Sequence, residues 1–282
     1  MATLAEMKFT VLGAKGFIGK HLVSYLKKCG HAVVAPDDLN VLDGEKNLGN
    51  VIYAIGLTGD FRTRPHETVQ SHVCLLSHLL QTANFASWTY LSSTRIYGLQ
   101  LSPDPIAEDS PIQVRPSLDG LYDLTKLTGE ALCLSLNRPE IRIARLSNVY
   151  GSGMNPSTFL GSIIKELRNG QNVEIGEDPK SSKDYVSVYD VCAMLEQIAL
   201  NGKYRIYNLA SGAPLAHDAI AFKLNAISRQ KISFRAEAIM RCFPRFDISK
   251  LVDEFQFRPR ELVEDLASLL DNSYSRKISD AR

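Results

Sequence analysis

No apolar run in the chain approaches the ~18 residues that a membrane-spanning helix needs. The first ten residues carry Glu6 and no apolar core of the secretory kind, so no export signal is expected there and the expected location is the cytoplasm. Charge excess is also missing. Lys+Arg is 32 against Asp+Glu 31, a formal net charge of +1. Without a positive surplus or an interleaved basic–aromatic patch, nucleic acid is not an expected partner. Cysteine is sparse: five in 282 residues, at Cys29, Cys74, Cys133, Cys192 and Cys242. They form no C-x-x-C pair and have no histidine at ligand spacing, which argues against a disulfide framework and a zinc site. His66, His72 and His78 are six residues apart, fit no common metal motif, and are expected to be surface or helix residues. There is no repeat or low-complexity tract. A membrane protein, a secreted mini-domain and a disordered tail are thereby excluded.

A chain of 282 residues is long enough for one large domain or two modest ones. Its first half alternates short strand-like runs with helical patterns. Runs at 9–12, 32–35, 51–55, 88–91 and 141–144 read as strands. Helices are expected at 17–29, from Pro65 onward with Val69, Val73, Leu76 and Leu80 inward, and at 121–136. Such alternation predicts an α/β fold: a Rossmann-type doubly wound parallel sheet with helices on both faces. Residues 98–120 hold four prolines and little periodicity, a loop of the length that is functional or mobile. After Gly151 the expected order is a helix at 158–168, a strand at 173–175, a polar loop, a strand at 185–188, a helix at 190–200 and a return strand at 205–209. The last ten residues read as a frayed tail.

The first strand runs into Gly13-Ala-Lys-Gly16-Phe-Ile-Gly19, which opens a helix. Glycines at this spacing let the backbone turn tightly and approach a pyrophosphate, and the helix N-terminus offers free N–H groups. The second strand ends at Asp37-Asp38, where a carboxylate can hydrogen-bond the adenosine ribose hydroxyls. Either aspartate can do this. A carboxylate there also repels a 2′-phosphate, so NAD is expected over NADP.

Tyr122 and Lys126 are four residues apart on a predicted helix and so share a face. The spacing is common by chance; the placement is more informative. An unperturbed phenol ionises near ~10 and is a poor base at neutral pH, but a neighbouring ammonium stabilises the phenolate. Ser92-Ser93-Thr94 ends the preceding strand, on the sheet edge where such folds bind ligands. A serine hydroxyl there can hold the oxygen of a reacting alcohol or carbonyl.

With these segments stand Leu91-Ser-Ser-Thr-Arg-Ile-Tyr-Gly98, Arg145-Leu-Ser-Asn-Val-Tyr-Gly151, Lys183-Asp-Tyr-Val-Ser-Val-Tyr-Asp190, Tyr207-Asn-Leu-Ala-Ser-Gly212 and Asp247-Ile-Ser-Lys250. In this order, over nearly the whole chain, the sequence resembles the extended short-chain dehydrogenase/reductase family, in its NAD-dependent epimerase/dehydratase branch. The resemblance implies a Rossmann domain over 1–151 and a smaller C-terminal α/β domain over 152–282 for a nucleotide-sugar, with 188–210 returning to the first sheet. It implies that Tyr122 is the general acid/base, that Lys126 holds the nicotinamide ribose, and that Ser93 is the hydroxyl partner. Gly13, Gly16, Phe17, Ile18, Gly19 and Ala54 would contact the cofactor. Thr94, Asn148, Lys183 and Arg245 would face the substrate, the last three at its phosphates. A homodimer built on the helices at 65–86 and 121–136 is implied as well.

The departures narrow the reaction. Dehydratases of the family carry Asp-Glu where Thr94-Arg95 stand, so 4,6-dehydration is not expected. Lys183 replaces an arginine and loses bidentate phosphate geometry. The stretch between Asp37 and Val51 is short, which predicts a sheet lacking one strand. The leading expectation is hydride transfer at C4 of a nucleotide-activated (6-deoxy)hexose. A 4-ketoreductase is favoured, because the short substrate region leaves little protein to cage a rotating intermediate. A 4-epimerase that retains its NAD is the alternative. A non-catalytic NAD-binding sensor or scaffold is a third reading, opposed by the presence of Ser93, Tyr122 and Lys126 together.

Overall fold

Strands covered on both faces must be apolar along their length, and the first half of the chain is built from such runs. The computed structural model describes residues 6–37, 47–99 and 103–271. β1 (Lys8–Leu12) leads through the glycine turn into α1 (Phe17–Lys28), and β2 (Ala32–Val34) and β3 (Asn50–Tyr53) follow. Next comes a long helix with a wide centre: α2 (Pro65–Val69), a π-helical turn (Gln70–Cys74) and α3 (Leu75–Thr82). β4 (Ser87–Ser93) ends in a 3-10 turn (Thr94–Tyr97); α4 (Gly120–Ser135) and β5 (Ile141–Leu146) complete this half.

The second half is more broken. β6 (Asn148–Tyr150), α5 (Phe159–Arg168), β7 (Val173–Glu177), β8 (Ser182–Lys183), β9 (Tyr185–Ser187) and α6 (Val188–Asn201) come first. β10 (Ile206–Leu209), β11 (Leu215–Ala216), α7 (His217–Ile227), β12 (Ile232–Ile239), α8 (Ser249–Phe255) and α9 (Leu262–Leu270) follow.

The main sheet has six parallel strands in the order β10-β5-β4-β3-β1-β2. This is the Rossmann-like α/β fold that the alternation predicts. The order reverses between β1 and β3, which opens a crevice at the carboxyl ends of those strands. Leu22 and Leu26 of α1 and Val191, Leu195 and Ile198 of α6 pack on one face. On the other, Leu76, Leu79 and Leu80 of α3 and Cys133 of α4 meet Tyr53, Trp88 and Tyr90. A separate core gathers Leu160, Ile163, Ile164 and Leu167 of α5 with Leu224 of α7 and Leu266 and Leu269 of α9. It lies over β7 and β12, which pair in parallel.

One expectation needs correction. In the helix from Pro65 the inward residues are Thr68, His72, Leu76, Leu79 and Leu80, while Val69 and Val73 are only half-buried. The π-helical turn takes more than four residues per turn, so it rotates the helix's first half by about one residue against a regular α-helix. The described part of the proline-rich loop is pinned. Ile106 forms a bridge with Phe246, Arg145 donates to the Glu108 carbonyl at 2.8 Å, and the Glu108 carboxylate accepts the Asn208 N–H at 2.9 Å.

Candidate active site

The glycine turn sits at the carboxyl end of β1, on the crevice. Gly13 has φ +89°, and a Cβ there would lie 2.7 Å from the Ala54 carbonyl carbon; a Cβ on Gly19 would lie 2.2 Å from the Gly13 oxygen. These two glycines are therefore demanded by the packing of β1, α1 and the end of β3. Gly16 caps α1 with no side chain on its N–H groups, which leaves them directed at the crevice. Phe17 and Ile18 turn inward against the core. Gly13, Ala14, Lys15, Pro36, Asp37 and Ile55 line a hollow of about 150 Å³. Asp37 carries an exposed ion pair with Lys15 at 3.1 Å. Asp38 lies outside the described residues.

At the carboxyl end of β4, Ser93 caps the 3-10 turn: its Oγ accepts the Arg95 N–H at 3.2 Å. Ser93 and Thr58 both stand close enough to the Tyr122 phenol to act on its ionisation. Tyr122 is 6% exposed and Lys126 5%. Burial raises the Tyr122 pKa; the Ser93 hydrogen bond, the Arg95 charge and the Thr58 hydrogen bond work against that rise, while the Asp123 charge adds to it. Lys126 Nζ donates to the Leu91 carbonyl at 2.8 Å and lies 5.9 Å from the Tyr122 ring centre. Burial pushes its ammonium down to about 7, against the pull of Glu130.

His72 belongs to this cluster, although it is expected only as a surface or helix residue. It is fully buried on the π-helical turn, edge-on to the Tyr122 ring at 5.5 Å. Its Nδ1 is 2.9 Å from Thr125 Oγ1, and that hydroxyl donates to the Tyr122 carbonyl at 2.9 Å. Thr125 is therefore an acceptor toward His72, which puts the imidazole proton on Nδ1 and leaves Nε2 a bare lone pair. A Cβ on Gly56 would lie 2.6 Å from His72 Nε2 and 3.4 Å from Lys126 Nζ, so the two nitrogens converge on one point. His66 and His78 are exposed.

Burial, then the Lys126 charge, hold the His72 pKa down to about 2. The unfolded chain then takes up this proton first, so the imidazole's contribution to stability is complete above ~6.5 and is lost as pH falls. Relative to His72→Gln, the wild type should lose up to ~1.4 kcal/mol of unfolding free energy per pH unit below that point. Urea titrations at neutral and mildly acidic pH measure the gap; a constant gap would contradict the assignment.

The remaining candidates are spread out. Thr94 is buried, its hydroxyl 3.4 Å from the Leu146 carbonyl. Asn148 is exposed and donates to the Asp184 carbonyl at 2.8 Å. Lys183 pairs with Glu177 at 3.1 Å and lies 4.3 Å from the Phe159 ring centre. Arg245 is exposed and donates from Nε to the Gly212 carbonyl at 3.1 Å. No helix among the described residues is long and apolar enough to cross a membrane.

Comparison with known proteins places this geometry. The family model "NAD dependent epimerase/dehydratase family" matches residues 9–210. The GDP-6-deoxy-D-mannose reductase of Pseudomonas aeruginosa is 28% identical over 231 residues, 72% of this chain and 74% of that protein. The structure of RMD from Pseudomonas aeruginosa complexed with NADPH superposes with a TM-score of 0.81 at 25% identity, over 96% of this chain and 99% of that one. MoeE5 in complex with UDP-glucose and NAD superposes at 0.79, again with 25% identity and over 96% and 99% of the two chains. By motif order, fold and family match, the chain belongs to the NAD-dependent epimerase/dehydratase family of nucleotide-sugar enzymes.

Proposed function

We propose that the chain is a nucleotide-sugar 4-ketoreductase, acting on a 4-keto-6-deoxyhexose through Ser93, Tyr122 and Lys126. The observation that carries this is the buried Tyr122 phenol beside Ser93 at the carboxyl end of β4, combined with the residues that follow. Thr94 turns its hydroxyl to a backbone carbonyl, and Arg95 pairs with Asp123. Neither offers the acid/base carboxylates that water elimination needs.

The glycine turn, the bare N-terminus of α1 and the hollow beside Asp37 fit a dinucleotide. Gly13, Gly16 and Gly19 would hold the pyrophosphate, Asp37 the adenosine ribose and Lys126 the nicotinamide ribose. Once bound, the cofactor supplies the hydride. Tyr122 gives its proton to the C4 oxygen as that oxygen becomes negative, and Ser93 holds the same oxygen in place. Burial of the phenol keeps it protonated and so suits the reducing direction. Asn148 and Arg245 would bind substrate phosphates; Lys183 can join them only by sharing its charge with Glu177.

A 4-epimerase uses the same groups, and the likeness to MoeE5 bound to UDP-glucose and NAD favours that second reading. The test offers NADH with GDP- and dTDP-4-keto-6-deoxyhexoses, and separately UDP-glucose and UDP-galactose with no reductant. A reductase consumes NADH in step with one of the keto sugars. Interconversion of the two UDP sugars without reductant would replace this proposal with the epimerase.

A further inference from the structure

Tyr122 is flanked by a second cation with no assigned role. Arg95, the residue after Thr94, turns back over α4. Its guanidinium carbon lies 5.4 Å from the Tyr122 ring centre and 5.0 Å from that of Phe61, and the two rings are 5.3 Å apart. The three groups form a nearly equilateral triangle. Arg95 is fixed there by its Nε on Asp123 at 3.2 Å and by its Nη2 on the Asp119 carbonyl at 3.0 Å. Its side chain is 34% exposed and that of Asp123 15%, so the pair is only partly screened by water.

We propose that Arg95 is a positioning cation of the Tyr122 phenolate: stacked on the ring and held by Asp123 and the Asp119 carbonyl, it stabilises the ionised phenol, and Asp123 sets how much of its charge the phenol feels. A cation over an aromatic face is attracted already when the ring is neutral. The attraction grows once the ring carries a full negative charge, so the contact favours the ionised state over the neutral one.

Of the other groups around Tyr122, Lys126 shares this task with Arg95 and the rest do not. Ser93 and Thr58 are neutral donors. His72, on the π-helical turn, stays neutral, since burial and Lys126 hold it down to about 2. Arg62 stacks on Phe61 at 4.4 Å but is engaged by Asp119. Lys126 is bound to the Leu91 carbonyl and lies closer to the Tyr90 ring, at 5.1 Å, than to the Tyr122 ring, at 5.9 Å. An arginine holds its charge more firmly on burial than a lysine does.

The inference rests on Tyr122 being the proton-transfer group, but its test needs no sugar, so its failure is separable from that of the proposed reaction. Protein labelled with 13C at the tyrosine ζ carbons is titrated by NMR with NAD+ present, and the Tyr122 signal is identified by its loss in Tyr122→Phe. Arg95→Met should raise the Tyr122 midpoint by ~1 pH unit, a tenfold weaker acid. Arg95→Lys should recover most of that shift. Asp123→Asn, which removes the opposing charge, should lower the midpoint. Loosened packing alone would not move the two neutralised variants in opposite directions. An unchanged midpoint in Arg95→Met, a shift of the same sign in Asp123→Asn, or a wild-type phenol that stays protonated throughout would each overturn the proposal.

Discussion

If the proposed reaction holds, Tyr122→Phe should lower turnover of the keto sugar by ~10²–10⁴-fold, the range that a positioned general acid contributes. The phenylalanine ring keeps the tilted contact with Phe61 and the edge-on contact with His72, seen at 5.3 and 5.5 Å, so the fold and the cofactor site should stay intact. Only the proton donor to the C4 oxygen is lost. The loss falls on kcat, while NADH affinity, read from the fluorescence of the bound nicotinamide, stays within about twofold. Because the reducing direction needs the protonated phenol, wild-type turnover should decline once pH passes the Tyr122 midpoint, and the variant should lack that limb. A variant that retains a third or more of wild-type turnover would remove Tyr122 from the chemistry.

The second large effect is on stability. Glu130 and Arg145 form a buried ion pair at 2.7 Å, each side chain 4% exposed. The same guanidinium donates to Tyr97 Oη at 2.6 Å and to the Glu108 carbonyl at 2.8 Å. The pair ties α4, which carries Tyr122 and Lys126, to β5 and to the proline-rich loop. Removing one partner leaves a charge stranded out of water. Glu130→Ala should therefore cost ~3–5 kcal/mol of unfolding free energy. Joining Arg145→Met to Glu130→Leu should return much of that loss, because two well-packed apolar groups carry no such penalty. Urea denaturation of the three proteins decides. A single substitution costing less than ~1 kcal/mol would mean that water reaches the pair.

The two halves of the chain differ in how far the sequence alone discloses them. β1, α1, β4, α4 and β5 are legible because each is a continuous apolar run or a helical stripe bounded by glycine or proline. Ser93 and Tyr122 stand out because a strand end and a helix start meet at one edge of a parallel sheet. The neighbours of Tyr122 do not stand out. Phe61 and Thr58 lie in an irregular segment, and His72 sits on a π-helical turn that shifts the inward face by a residue. Arg95 appears in the sequence only as a lost carboxylate; its stacking on Tyr122 depends on how the 3-10 turn folds back over α4. The pairing of β7 with β12 brings Ile232 beside Val173, a contact across a stretch of chain that local pattern does not reveal. The placement of Lys183 is similar: its partner Glu177 is six residues away across the loop between β7 and β8, and no spacing rule announces that pair.

The most direct measurement is isotopic. NADH carrying deuterium at its transferable position is supplied with the nucleotide 4-keto-6-deoxyhexose that the chain turns over, and the product is examined by NMR. The account predicts deuterium at C4 of the sugar, one per cofactor oxidised, with Tyr122→Phe nearly silent. Product that forms without deuterium at C4, or with equal yield in Tyr122→Phe, would contradict it.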